Sequence, residues 1–166
     1  MAVLRAIYPG GARRDAVFLL YRPPLADVIV NAAEEGGGFP RPFDMNSYTV
    51  TLGIQNSLGG GEFEYCPNLR TSTDENYAAV ESVLDGASSA PKRLALEPGD
   101  LQMFKGRYAL HRVNPLSGKR SRYVAIFSFV DEPGMVGSPE RTLRRYGRVL
   151  PIHGERAGRR NDSLLE

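Results

Sequence analysis

The sequence predicts a single β-rich domain of the sandwich or jelly-roll kind, and three observations carry that expectation. Segments rich in β-branched and aromatic residues recur at short spacing. Turn-forming residues separate them, with 18 glycines and 12 prolines among 166 residues. Helical periodicity is confined to one or two short stretches. The length suits one domain with its own hydrophobic core better than two.

Taken in order, Ala16 to Tyr21, Ala26 to Ala33 and Tyr48 to Gln55 each read as a strand. In the third, Tyr48, Val50, Leu52 and Ile54 alternate with Thr49, Thr51, Gly53 and Gln55, a period of two. Gly59, Gly60 and Gly61 supply the conformational freedom for a tight turn before a short strand from Glu62 to Tyr65. In that strand Glu62 and Glu64 are expected on the outside or at a pocket rim. Leu101 to Phe104, Tyr108 to Val113 and Tyr123 to Val130 complete the β set. Asp74 to Leu84 is the best helix: Thr73 or Asp74 is placed to cap it, Tyr77, Val80 and Leu84 share one face, and Gly86 is a stop. A second helix is predicted from Pro139 to Tyr146, with Ser138 as cap and proline in the first turn. From Gly154 onward there is almost no apolar content before Leu164, which predicts a frayed tail. The organisation expected is therefore a short N-terminal extension over residues 1–24, a core domain over 25–153 and a disordered tail over 154–166.

Composition narrows the function classes. A formal net charge of +2 is too small for a nucleic-acid footprint over the whole chain. The positive excess is local: Arg141, Arg144, Arg145 and Arg148 have the spacing of a solvated helix face, and no aromatic residues interleave with arginines near the motifs below. No apolar run approaches the roughly 20 residues of a membrane span. The start of the chain is too short and mixed for a signal peptide, so a cytoplasmic location is expected. The chain holds two histidines, His111 and His153, and one cysteine, Cys66. An internal disulfide and a three-histidine metal site are excluded, and a closed four-ligand Cys/His zinc site is disfavoured. Cys66, next to Pro67, reads as a small packed hydrophobe, and His153 as an outer-surface residue beyond the last core strand.

Three stretches fit together: Asn31-Ala-Ala-Glu-Glu-Gly36 leading to Pro42-Phe43-Asp44; Gly60-Gly61-Glu62-Phe63-Glu64-Tyr65; and Pro98-Gly99-Asp100-Leu101-Gln102-Met103-Phe104 followed by His111-Arg112-Val113, Gly118 and Arg122-Tyr123-Val124. Over roughly residues 25–153 this pattern resembles the iron(II)- and 2-oxoglutarate-dependent oxygenases. It is most similar to the ArpA-like or HalD/BesD-like bacterial subgroup, in which hydroxylases and halogenases of free amino acids occur. The resemblance implies a double-stranded β-helix, a cupin-like jelly roll with one or two short flanking helices. It also implies an iron held by a His-x-Asp pair and a distal His, with open positions for cosubstrate and oxygen. Carried onto this sequence, the distal histidine is His111 and the carboxylate is Asp44. Arg122 is the basic residue that pairs with the far carboxylate of 2-oxoglutarate, a role that suits its planar fork. Arg120 is the near alternative, and Asn31 matches a polar position that faces the cosubstrate.

The sequence departs from that pattern at one decisive place. Pro42 stands where the family carries its first histidine, and Arg41 precedes it. Proline cannot ligate a metal, so the implied iron and 2-oxoglutarate are both in question. Halogenation is disfavoured because Asp44 fills the position that chloride needs. The short region before the core leaves a sheet edge for a partner chain to cover. The expectation is an oxygenase-like oxidoreductase acting on a small molecule such as an amino acid or natural-product intermediate, with an incomplete facial triad. The alternatives are a metal-independent cyclase, isomerase or lyase on the same fold, with Asp44 or His111 as general base and an acid held on Arg122, or a non-catalytic partner subunit of an intact homologue. Expected partners are a small-molecule substrate and a second copy or such a homologue, without nucleic acid or membrane.

Overall fold

The computed structural model describes residues 2–4, 18–20, 23–39, 43–87, 91–157, 160 and 162–165. The expectations placed on Arg41 and Pro42 lie outside the described residues. Strands β1 (Ala2–Leu4) and β2 (Phe18–Leu20) pair antiparallel within the region expected to be a short extension. The core follows with β3 (Val28–Ala33), β4 (Tyr48–Gln55), β5 (Gly59–Gly60) and β6 (Phe63–Cys66). Helix α1 spans Tyr77–Leu84, and then come β7 (Lys92–Leu94), β8 (Leu101–Phe104), β9 (Leu110–Val113), β10 (Leu116–Ser117) and β11 (Arg122–Phe129). Helices α2 (Pro139–Tyr146) and α3 (Pro151–Glu155) close the order. The protein is thus mainly β, with antiparallel sheets and short helices.

The larger sheet has the order β3-β11-β4-β8, and a smaller sheet has the order β7-β6-β9. All pairings are antiparallel, and a short β10-β5 pair joins the loops at one end. The sheets face each other across aromatic contacts. The Phe63 ring of β6 lies 4.9 Å from Phe104 of β8, and Phe104 lies 4.9 Å from the His111 ring of β9. The non-sequential order brings residues far apart in the chain onto one concave surface, which is what makes a site possible here.

Strand β4 shows how the alternation is used. Its period-two pattern does place Tyr48 and Val50 on one face, where they pack with Phe127 and Phe129 of β11 as an apolar cluster. The polar face, however, is not solvated. Thr49 and Thr51 are 4% and 6% exposed because they line a cavity between the sheets, whereas Ile54 is 47% exposed at the strand end. Strand β11 divides in the same way: Val124, Ile126 and Ser128 line the cavity, and Phe127 and Phe129 join the cluster behind it.

The helices test the local signals. Helix α2 begins where Ser138-Pro139 predicts: Ser138 Oγ accepts the Arg141 N–H at 3.4 Å, and Gly147 ends it with a left-handed φ of 69°. Helix α1 starts later than expected. Asn76 is its N-cap residue in a left-handed conformation (φ 51°) and makes no side-chain cap, so Thr73 and Asp74 are not the cap. Asp74 instead accepts the Asn76 N–H at 2.8 Å. Nor is the shared face of this helix packed, since Tyr77 and Leu84 are 65% and 66% exposed.

The C-terminal region, expected to fray, contributes buried and paired groups among its described residues. Leu164 is buried, and Asp162 binds the guanidinium of Arg107 through both oxygens, at 2.9 and 2.7 Å. Arg107 also donates to the carbonyls of Leu164 and Leu165. The Ser163 N–H reaches Ser72 O at 3.0 Å. Low apolar content signalled fraying, but charge pairing to a loop distant in sequence anchors this segment.

Candidate functional site

The cavity between the sheets measures about 170 Å³, room for a small organic molecule. Asp44, His111, Arg122 and Asn31 all line it, so the structure brings the four predicted site residues together. Arg120, the near alternative to Arg122, is exposed and donates instead to Asn56 O at 2.8 Å.

Asp44 lies in the loop before β4. Its N–H donates to Gly106 O at 3.0 Å, and Gly106 has no side chain where a Cβ would overlap the Asp44 carboxylate. Thr49 Oγ1 donates to Asp44 Oδ2 at 2.5 Å and itself accepts from Asn46 Nδ2 at 2.8 Å. The other oxygen, Oδ1, is 3.5 Å from His111 Nε2. His111 Nδ1 donates to Ala109 O at 2.8 Å, which turns Nε2 toward Asp44. Phe63 and Phe104 pack against the imidazole.

The two groups shift each other in opposite senses. Burial pushes the Asp44 carboxyl up, but the His111 hydrogen bond and charge, the Thr49 hydroxyl and the charge of Arg145 together bring it below the ordinary 3.8. For His111, burial acts downward, and the bond to Asp44, its charge and the Ala109 carbonyl lift it above 6.5. The pair therefore stands as carboxylate and imidazolium around pH 6.

Arg122, at the start of β11, is 5% exposed. Its chain passes beside Gly61, whose φ of +78° and missing Cβ leave that space open: a Cβ would sit 3.1 Å from Arg122 Cδ. Among the described residues no carboxylate pairs with this guanidinium, and burial pushes its pKa down with nothing to oppose it. Asn31 stands half-buried on β3, opposite Val124 of β11.

Sequence reasoning missed several residues of the wall. His153, expected on the outer surface, is 2% exposed and lines the cavity. Its Nδ1 lies 3.2 Å from the Leu150 N–H, closing the first turn of α3. Proline at position 151 was the signal for that helix start, and it places His153 in the first turn. Gln102, a polar residue within an otherwise apolar strand, also faces inward, and its Oε1 is buried without a hydrogen-bond partner. Arg141 and Arg145 of α2, expected on a solvated face, line the cavity as well.

The donor set does not fit an iron held by three protein side chains. Asp44 and His111 form a pair, and no group of three His, Cys, Asp or Glu side chains converges among the described residues. The class that fold and site define is thus a mainly-β, two-sheet domain with a basic cavity and a half-buried Asp–His pair.

No family model matches the chain, and no curated protein matches it. Similar solved structures include a 2OG-Fe(II) oxygenase-family oxidoreductase from Burkholderia pseudomallei (14% identity over 63% of this chain and 42% of that one, TM-score 0.47). A Pseudomonas putida prolyl-4-hydroxylase matches with 14% identity over 63% and 52%, TM-score 0.45. An N-substituted L-amino acid dioxygenase from Burkholderia ambifaria matches with 14% identity over 64% and 53%, TM-score 0.38. The chain spans about half the length of these neighbours or less. Among the described residues no helix is long and apolar enough to cross a membrane.

Proposed function

We propose that this chain is an oxygenase-like small-molecule protein whose cavity binds a carboxylic acid on Arg122. Beside that acid the Asp44–His111 pair handles a proton without a resident three-ligand iron. The observation that carries the reading is the buried Arg122 guanidinium, which lines the cavity with no carboxylate paired to it among the described residues. A buried charge of this kind is costly unless a partner arrives, and a carboxylate fits its fork in bidentate fashion. Asn31, also on the wall, adds a donor and an acceptor for the same ligand.

The paired groups define what chemistry is within reach. His111 Nε2 carries the proton that points at Asp44, and Thr49 holds the far carboxylate oxygen in place. A ligand that displaces this contact meets an imidazolium able to donate and a carboxylate able to accept, the requirements of an isomerisation, cyclisation or elimination. Phe63 and Phe104 keep the ring in an apolar setting that limits water.

A direct test measures succinate binding by calorimetry to the wild type and to Arg122→Gln. In parallel, iron(II) and 2-oxoglutarate are added anaerobically to the wild type and to Pro42→His. Binding lost in Arg122→Gln, with a visible charge-transfer band absent in the wild type, supports the proposal. A band in the wild type overturns its metal-free part in favour of iron held on Asp44, His111 and solvent. Succinate binding that ignores Arg122→Gln overturns the acid site itself.

A further inference from the structure

The cavity uses only one face of the large sheet. Asn31, Thr49, Thr51 and Gln102 turn toward it, and strand alternation turns their chain neighbours the other way. The register joins those neighbours into rows across all four strands. One row runs Val30–Ala125–Leu52–Leu101, and the next runs Val28–Phe127–Val50–Met103. Ala32 and Tyr123, opposite each other on β3 and β11, begin a third. None of these positions carries a charge.

This is the reverse of a sheet with one face in water, which turns its polar residues outward and its apolar ones inward. Val28, Val30, Leu101, Met103 and Tyr123 are 36% to 63% exposed, while Val50 and Ala125 between them are buried. The most open of these side chains lie on β3 and β8, the two edge strands, so the apolar surface runs from one edge of the sheet to the other. It leaves on the order of 600 Å² of apolar area open, at the top of the range for the largest patch on a monomer.

We propose that this face is an interface with a second copy of the chain, packed sheet against sheet about a twofold axis. A twofold contact puts the same patch on both sides, and a patch without charge does not repel its own copy. The absence of charge also gives it nothing with which to select an acidic or basic partner. Two copies would bury about 1,200 Å² between them, the lower end of what a specific interface needs. The cavity lies on the other side of the sheet, so the pairing is independent of what the cavity binds.

Sedimentation velocity on the full chain over about 1–100 μM tests the idea, because an interface of this size should dissociate within that range. The wild type is expected to pass from monomer to dimer as concentration rises. Val30→Glu and Leu101→Glu should each raise the dissociation constant at least about a hundredfold, since the symmetry places every new charge in the interface twice. Val30→Thr and Leu101→Thr, which keep a strand-compatible side chain, should weaken the dimer by about tenfold and decide the matter if the glutamate variants do not fold by circular dichroism. Leu84→Glu, on the exposed face of α1, should leave the dimer unchanged. A wild type still monomeric at the highest concentration overturns the proposal and leaves the face to a different chain. A dimer that survives the Val30 and Leu101 substitutions, or one that Leu84→Glu disrupts equally, overturns it in favour of another surface.

Discussion

Asp162→Ala is the perturbation whose consequence the structure fixes most tightly. Arg107 is 2% exposed, and its Nε and one terminal nitrogen are both engaged by Asp162, which is itself 10% exposed. After the substitution the guanidinium stays charged and keeps only the carbonyls of Leu164 and Leu165, at 2.9 and 3.2 Å. Breaking a buried ion pair by removing one partner costs about 3–5 kcal/mol, because the remaining charge is uncompensated. For a domain of this size about 2–4 °C accompanies each kcal/mol, so the melting temperature should fall by roughly 6–20 °C. Urea titration should show a lower midpoint at unchanged slope. Asp162 also sets a pH signature: burial acts upward, but Arg107 and Arg160 bring its folded pKa below 3.8. Its contribution is therefore present above pH 3.8 and is lost as pH falls through that lower value. Ser163→Ala, which removes only an exposed hydroxyl contact to Ser72 O, should stay within about 0.5 kcal/mol. An Asp162→Ala cost under about 1 kcal/mol would refute the reasoning and return the tail to the frayed state its composition suggests.

Two further outcomes concern the Asp44–His111 pair. Gly106→Ala places a Cβ where the Asp44 carboxylate sits, so the carboxylate must move; a loss of about 1–3 kcal/mol is expected, with the His111 imidazole NMR signals shifting toward those of an unpaired ring. Unchanged imidazole signals in a folded Gly106→Ala protein would contradict the packing. The second outcome is a stability plateau. Asp44, held below 3.8, contributes above pH 3.8 and loses that contribution as pH falls through its folded value. His111, raised above 6.5, contributes fully below pH 6.5 and loses that contribution as pH rises through its folded value. The stability gap between wild type and His111→Gln should therefore be widest between about pH 4 and 6.5 and narrow on both sides; a pH-independent gap refutes the pairing.

How much of this was legible in the sequence depended on whether the signal was local. Strand β4 was found to the residue, because a period of two survives when both faces are buried. Helix α2 was found because Ser138, Pro139 and Gly147 act within a turn of its ends. The start of α1 was missed because Asn76 turns the chain in a left-handed conformation and displaces the cap that Thr73 and Asp74 advertised. Nothing near residues 160–165 reports that Arg107 awaits them. Asp44, His111, Asn31 and Arg122 were assigned only through the family resemblance carried onto their motifs, and all four line one cavity. The inward positions of His153 and Arg145 follow from how α2 and α3 lie over the cavity, which no pattern in those helices encodes.

The scarcity of histidine then takes on a chemical meaning. With His111 paired to Asp44 and His153 closing the first turn of α3, no group of three His, Cys, Asp or Glu side chains converges among the described residues, and arginines line much of the rest of the cavity. A guanidinium at 5% exposure, with no ion pair among the described residues, opposes folding because its lost hydration is not replaced. Such a residue is tolerable when an anion supplies the missing charge, and any anion that binds only the folded chain also stabilises it by mass action. On the proposed acid site, ligand binding and folding are linked through Arg122. The substitution expected to cost acid binding, Arg122→Gln, removes that opposition in the empty protein, so lost affinity there need not mean lost fold.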